Sequence, residues 1–194
     1  MRPFIIALTF LVTASVNSQE ITKPLTKRVI VKTNVLSLIA QRPTVSIEKA
    51  FGRTFSFEVS FVKGQFNNFF FTDHYDYNGF LLRAKKHFLL IDYGKVSPYG
   101  AAYIGNLKRA IQTQGQALGS GGYIGYPSRN FTGYSVRAGG SLGISYFSKN
   151  KILIEGQVSL GYGFYYKQLD KADPSNYSSG YLDTQLWLSI GYCF

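Results

Sequence analysis

The sequence lacks the features that stabilise small secreted proteins and the charge typical of soluble enzymes. Cys193 is the single cysteine among 194 residues, so no intrachain disulfide forms and a disulfide-stapled scaffold is excluded. Charged residues make up only 16%, and aromatic residues also make up 16%, an unusual balance for a water-soluble enzyme. We therefore expect that something other than water covers part of the surface.

Long apolar runs are also scarce, and the clearest one lies at the N-terminus. One positive charge at Arg2 precedes an apolar run, residues 4–12, and a small, polar stretch, residues 14–18. The pattern predicts a Sec-type signal peptide over residues 1–18, and we expect residues 19–27 to form a short periplasmic leader. The alternative, a buried N-terminal strand or helix, is disfavoured because the chain turns abruptly polar after the signal. No cysteine follows the apolar run, so a lipid anchor is unsupported.

Beyond the signal, no stretch approaches the 18 apolar residues of a membrane-spanning helix, which excludes helical spans. The formal net charge is +11, or +10 once the signal with its single Arg2 is removed. These charges are scattered in ones and twos, and export removes most nucleic-acid partners, so we expect no nucleic-acid binding. Outer-membrane lipids and the phosphates of lipopolysaccharide are the predicted partners of the basic residues.

The sequence is rich in alternation of period two, which is typical of strands with two different faces. In residues 54–63, large apolar side chains alternate with Ser56, Glu58 and Ser60. The pattern predicts eight strands, at residues 28–38, 44–51, 54–63, 77–86, 97–107, 132–147, 151–165 and 181–194. Their connections include tight turns at 51–54 and 148–151 and long polar loops at 64–76, 108–131 and 166–180, as outer-membrane barrels show.

These strands predict an all-β fold, an eight-stranded antiparallel transmembrane meander β-barrel over residues 28–194. The interior of such a barrel has room only for modest side chains or one small ligand. The face rich in Gly and Ser therefore points inward, and the face rich in Phe, Tyr and Leu meets lipid. A secreted ligand-binding barrel with the opposite orientation stays as an alternative.

The charged residues of the strands share the parity of the small, polar face. Isolated buried charges carry a large free-energy cost, so acids and bases in a narrow lumen are expected to pair. We predict an internal ion-pair network that plugs the lumen, formed by Lys32, Glu48, Glu58, Arg83, Arg137 and Glu155.

Two segments resemble a known family. The stretch VKTNVLSLIAQRPTVSIEKAFGRTFSFEVSF, residues 31–61, and the stretch ILIEGQVSLGYGF, residues 152–164, resemble an outer-membrane β-barrel family of unknown function common in Bacteroidetes. The motif is Lys-Thr-Asn, a strand, Glu, a tight Gly turn and Ser-x-Glu. The resemblance implies a small OmpA-like barrel with both termini in the periplasm, and it implies no activity.

The sequence predicts no catalytic residue, no cofactor and no metal site. His74 lies between two acids in TDHYDY beside Thr72, which is the minimum for activating a nucleophile. An outer-membrane lipid-modifying enzyme that uses His74 is therefore an alternative, but a solvated histidine is the simpler interpretation. Asp73, His74 and Asp76 do not have the spacing of an established metal site. The glycine-rich stretch 117–122 lacks the Gly-Lys-Ser/Thr ending of a phosphate-binding loop.

The C-terminal residues suggest how the barrel is assembled. The terminal Phe194, with Tyr192 two places earlier, resembles the signal recognised by the barrel assembly machinery of the outer membrane. We therefore predict a non-catalytic outer-membrane protein with a structural or surface-interaction role, exported through its signal peptide. The sequence does not identify the surface partner.

Overall fold

The computed structural model describes residues 28–38, 42–69, 72–114, 116–118, 124–126, 129–170 and 179–194. The predicted signal peptide and leader lie outside these residues. Ten strands form within them: β1 Val29–Asn34, β2 Thr44–Phe51, β3 Phe55–Phe69, β4 Thr72–His87, β5 Lys95–Thr113, β6 Gln116–Leu118, β7 Ile124–Tyr126, β8 Arg129–Phe147, β9 Ile152–Asp170 and β10 Gly180–Cys193. A 3₁₀ turn, Val35–Leu38, follows β1. Within the described ranges, no helix has the length and apolarity needed to cross a bilayer.

Eight of the strands close into an antiparallel barrel in the order β1-β10-β9-β8-β5-β4-β3-β2. The ring closes where β1 pairs with β10, with Lys32 opposite Gly191. The remaining two strands, β6 and β7, pair with each other as a separate small hairpin. The predicted eight-stranded antiparallel barrel is confirmed.

The barrel strands place large apolar side chains outside and small or polar side chains inside. Leu142, Val158 and Leu186 are paired neighbours on β8, β9 and β10, and their exposed fractions are 69%, 62% and 65%. Ser141 and Ser159, each one residue from this row, are buried and joined by a hydrogen bond of 2.9 Å. These two inward serines thus pair with each other, while the outer wall of the barrel is a band of exposed apolar side chains.

The two ends of the barrel differ. At one end, β2 and β3 are joined by a tight turn in which Gly52 has φ +72°, a conformation that glycine adopts without steric cost. The turn between β8 and β9 at this end contains Lys151, with φ 64°. At the other end, β3, β4, β5, β8 and β9 extend well beyond the 9–11 residues that a tilted strand needs to cross a bilayer.

These extensions correct the sequence prediction of three long loops. Residues 64–69 and 72–76 belong to β3 and β4, so most of the predicted loop 64–76 is a paired hairpin. The predicted loop 108–131 begins and ends as paired strand, and 166–170 continues β9. The polar composition of these segments led to the prediction of loops. Strand pairing uses backbone hydrogen bonds, so it continues whether the side chains are polar or apolar.

The end with the short turns is covered by the connection between β4 and β5. Ile91 of this connection is 2% exposed and packs with Phe147, Leu153 and Cys193. The Ile91 amide also donates to the carbonyl of Arg53 at 2.9 Å. The barrel therefore has an apolar floor in which Ile91, a residue of the predicted connection between two strands, packs against residues of the predicted strands.

An ion pair lies at the outer edge of this floor. The Lys95 ammonium donates to the Asp92 carboxylate at 3.1 Å. This hydrogen bond holds the pKa of the Asp92 carboxyl below its ordinary value.

Candidate functional site

The centre of the lumen holds three glutamates bridged by two lysines. The Lys32 ammonium lies 2.7 Å from Glu48, 2.8 Å from Glu58 and 2.7 Å from Glu155. The Lys85 ammonium lies 2.8, 2.7 and 2.8 Å from the same three carboxylates. All five side chains are at most 3% exposed. We call these five residues, together with Arg83, the lumen charge cluster.

Arg83 completes the balance of charge in this cluster. Its guanidinium donates to Glu58 at 2.7 Å, so three carboxylates face three cations and the formal charges cancel. The guanidinium also lies 4.0 Å from the centre of the Trp187 ring, a distance at which a cation–π contact is favourable. The attraction between these opposite charges offsets part of the cost of removing each ion from water.

Neighbouring serines add a hydrogen bond to each of the three carboxylates. Ser56 donates to Glu48 at 2.6 Å, Ser60 to Glu58 at 2.6 Å and Ser145 to Glu155 at 3.2 Å. Buried ion pairs are tolerated when additional hydrogen bonds complete their coordination. The inward serines are therefore part of the cluster's chemistry and do not merely fill space.

The three glutamates resemble a metal site in geometry alone. Their carboxylate oxygens lie within 4.8 Å of one another, close enough to share a cation. The two lysine ammonium groups already occupy the bridging position, because each contacts all three carboxylates. The arrangement is consequently a buried network of ion pairs, and it leaves little room for a metal ion.

The sequence prediction placed six residues in one network, and the structure brings five of them together. Lys32, Glu48, Glu58, Arg83 and Glu155 meet in the lumen charge cluster. Arg137 does not join them. It lies 3.5 Å from the Asp183 carboxylate, in a separate layer further from the floor.

Two charged residues of the lumen were missed within the predicted strands, and a third, Arg109, was assigned to the predicted loop 108–131. Lys85 has the same inward parity as Arg83 on β4, and Asp183 has the same parity as Trp187 on β10. Parity alone was a sufficient signal for both. Lys85 was not included in the predicted network because it precedes Lys86 and His87 near the end of a strand. Charged residues at such a position usually lie at the end of the barrel, in contact with water.

Inward glycines make space for large tyrosine rings in the lumen. A Cβ atom added to Gly143 would overlap the ring of Tyr99, and one added to Gly139 or Gly161 would overlap the hydroxyl of Tyr103. Both tyrosines are buried. The Tyr99 hydroxyl donates to Gln157 at 2.9 Å. The inward glycines thus leave the space that the rings of Tyr99 and Tyr103, both on β5, occupy.

We predict that Gly143→Val lowers the free energy of unfolding of the barrel by about 1–3 kcal/mol, because the new side chain overpacks the lumen against Tyr99. Gly156 is the matched control, since it is exposed and a Cβ there meets nothing within 4 Å. Gly156→Val should change the free energy by less than about 0.5 kcal/mol. Urea titration in detergent measures both, and equal effects would contradict the proposed role of Gly143.

The predicted C-terminal signal lies on the outer surface at the end with the short turns. The rings of Tyr192 and Phe194 are 43% and 67% exposed, and they meet edge to face with their centroids 5.1 Å apart. The Phe194 amide donates to the Val29 carbonyl at 2.9 Å. Phe194 therefore continues the seam between β1 and β10, with its side chain directed outward.

His74 lies in the strand extension of β4 and has two hydrogen-bond partners. Its ring nitrogens lie 2.7 Å from Asn67 and 2.7 Å from Asp76. The neighbouring Asp73 carboxylate instead accepts a hydrogen bond from the backbone N–H of Gln114 at 2.7 Å, so the three side chains do not converge on one point. In the glycine-rich stretch, residues 117 and 118 belong to β6, and 119–122 lie outside the described residues.

A family model described as "Protein of unknown function (DUF3575)" matches residues 4–185. The chain belongs to this family. No curated protein matches it. Among solved structures, the chain is similar to Ail, the attachment invasion locus protein of Yersinia pestis, with 14% identity and a TM-score of 0.40 over 86% of this chain and 94% of that chain.

In this DUF3575 chain, the motif that carried the sequence resemblance folds around the lumen charge cluster. Its Lys32, Glu48 and Glu58 are cluster members, and Ser56 donates to Glu48. Its Asn34 side chain accepts hydrogen bonds from the amides of Leu36 and Leu188, each at 3.1 Å. The motif thus supplies residues of the lumen charge cluster and of the junction between β1 and β10.

Proposed function

We propose that this DUF3575 chain is a non-catalytic protein of the bacterial outer membrane, with a structural or surface-interaction role and a lumen plugged by the charge cluster. The observation that carries the proposal is the closed barrel with apolar residues outside and ion pairs inside. A bilayer has no water to satisfy backbone polar groups, and a closed barrel pairs them all between its strands. A secreted barrel would expose the same apolar wall to water at considerable cost.

Two layers support the proposal of a closed lumen. Ile91 and its apolar neighbours cover one end. The charge cluster fills the centre of the lumen, next to this floor, with side chains that are at most 3% exposed. Eight-stranded barrels are narrow enough for side chains to fill them. Ions would have to displace both layers in order to pass.

Lysines on the outer wall support lipopolysaccharide as a partner. A groove of about 680 Å³ is lined by apolar side chains, including Phe61 and Phe80, and by the cations Lys63 and Lys108. Lys108 also lies 5.4 Å from the centre of the Tyr134 ring. A lipid with acyl chains and phosphate groups matches this juxtaposition of apolar wall and positive charge.

The strand extensions support a role at the cell surface. They project beyond the apolar band on the side away from the short turns, which is the external side in outer-membrane barrels. Polar side chains such as those of Asn67 and Asp73 are exposed on them. His74 is engaged with Asn67 and Asp76, which favours a structural role for it over a catalytic one.

The proposal predicts that the full chain, expressed in a Gram-negative host, is extracted from outer membranes only with detergent and migrates differently on gels before and after boiling. The purified barrel should produce no stepwise conductance in planar bilayers, because the lumen is filled. A large open porin measured in the same bilayers provides the control. A soluble monomer without detergent would refute the membrane assignment, and resolved conductance steps would refute the plug.

A further inference from the structure

A cavity of about 380 Å³ lies in the lumen above the charge cluster, on the side of the strand extensions. It forms there because the neighbouring strands β1 and β2 are short and meet at Asn34 and Thr44. We call this cavity the lumen vestibule. Its polar and aromatic lining includes Tyr75, Tyr77, Arg109, Arg137, Tyr181 and Asp183.

The vestibule contains donors that the protein does not use. Arg137 is 5% exposed, and its Nε has no hydrogen-bond partner among the described residues. The same holds for the Nε of Arg109. A buried donor without an acceptor costs free energy. Two arginines that each carry such a donor line one cavity, and this points to an acceptor from outside the chain.

The charges that line the vestibule do not cancel. Its lining contains two guanidinium groups, those of Arg109 and Arg137, and one carboxylate, that of Asp183. One oxygen of this carboxylate already accepts from the Tyr103 hydroxyl at 2.8 Å and from the Gln185 amide at 2.7 Å. Its other oxygen lies 3.5 Å from Arg137, a long contact. The excess positive charge distinguishes this layer from the balanced cluster below it.

Tyrosine rings hold the arginines in place. The Arg109 guanidinium lies 3.6 Å from the centre of the Tyr181 ring and 5.3 Å from that of Tyr165. Stacking restricts the orientation of the planar guanidinium and so prepares its N–H groups for an acceptor. The rings also supply apolar walls for the organic part of a ligand.

We propose that the lumen vestibule binds a small soluble molecule that carries an oxyanion, either a carboxylate or a phosphate. A guanidinium matches both groups through paired charge-assisted hydrogen bonds. The volume lies within the range of small-molecule sites. The lining lies inside the barrel wall, so a free solute fits it better than the headgroup of a lipid in the surrounding membrane.

Trp187 provides a direct readout of this site, because it is the single tryptophan of the chain and lines the vestibule. We expect sodium phosphate or sodium acetate, added at constant pH and ionic strength to the folded barrel in detergent, to change Trp187 emission saturably. Arg109→Gln should weaken the apparent affinity at least about tenfold, since a charge-assisted hydrogen bond contributes that factor or more. Arg137→Gln should do the same.

Lys49→Gln is the control, because Lys49 is exposed on the outer wall of β2, where its ammonium lies 5.6 Å from the centre of the Phe51 ring, and it lines neither the vestibule nor the outer groove. It removes one positive charge without touching the vestibule and should leave the titration unchanged. Heat-dependent gel mobility verifies that each variant is folded. If Arg137→Gln does not fold, the half-buried Arg109 still decides the question.

Three results would overturn the proposal. One is a titration without saturation for both anions, and another is an equal loss of affinity in Lys49→Gln and Arg109→Gln. The third is a response to purified lipopolysaccharide in nanodiscs with none to free phosphate or acetate, which would assign the donors to a lipid. None of these results bears on membrane insertion, which the mobility assay tests separately.

Discussion

Replacement of Lys85 by methionine is expected to lower the free energy of unfolding of the barrel by about 3–5 kcal/mol, the cost typical of removing one partner from a buried ion pair. Lys85 contacts three carboxylates at 2.7–2.8 Å and is 0% exposed. Methionine keeps the length of the side chain but leaves three carboxylates with only Lys32 and Arg83. Urea titration in detergent, followed by Trp187 emission, measures the change.

Two further variants separate the effect of charge balance from the effect of any lysine substitution. Lys95→Met removes an exposed pair with Asp92 at 3.1 Å and should cost less than about 1 kcal/mol. Lys85→Met combined with Glu155→Gln restores neutrality and should be more stable than Lys85→Met alone. If Lys85→Met costs no more than Lys95→Met, or if Glu155→Gln adds to the damage, the cluster does not stabilise the barrel through charge balance.

Side-chain parity was the part of the structure that the sequence predicted well. The side chains of a strand alternate between its two faces. Once one large apolar residue is placed on the outer face, its two neighbours are therefore placed on the inner face. Phe57 outside requires Glu58 inside, and Ile154 outside requires Glu155 inside, as the structure shows. The same rule applied to Phe80 and Leu82 would have placed Lys85 inside.

The position of a residue along the barrel axis could not be read from parity. It depends on the stagger between strands, which alternation does not encode. Glu155 is paired with Ser145 and Ser189, whereas Arg137 is paired with Gly105 and Gly163. Arg137 therefore points inward as predicted but lies in a different layer, where Asp183 is its nearest carboxylate.

The lengths of the strands could not be predicted from the sequence, for a related reason. Hydrophobic alternation ends where the wall leaves the apolar band, but backbone pairing continues beyond that band. The register shift between Tyr134 and Ser135 illustrates the change, because two successive residues of β9, Tyr166 and Lys167, are both exposed there. Such a bulge interrupts the period of two and removes the signal that identified the strand.

Replacement of Phe194 by alanine is expected to reduce the membrane-inserted barrel to a minor fraction while leaving export to the periplasm intact. The reason is recognition during assembly, because the aromatic side chain at the C-terminus is the feature that we propose the assembly machinery binds. In the folded barrel the Phe194 ring is 67% exposed and contacts the ring of Tyr192. Its loss therefore leaves the interior unchanged. Fractionation of cells, followed by the gel-mobility assay, measures the inserted fraction.

Leu186→Ala is the control that distinguishes assembly from lipid contact. Leu186 lies on the same strand, faces outward and is 65% exposed, so its truncation removes apolar surface from a similar environment. A role in recognition predicts normal insertion for Leu186→Ala and failure for Phe194→Ala, with both variants refolding from urea into detergent, where no assembly machinery is present. Equal insertion of the two variants in cells would show that Phe194 is one more lipid-facing side chain. Failure of Phe194→Ala to refold in detergent would instead assign its effect to the seam between β1 and β10.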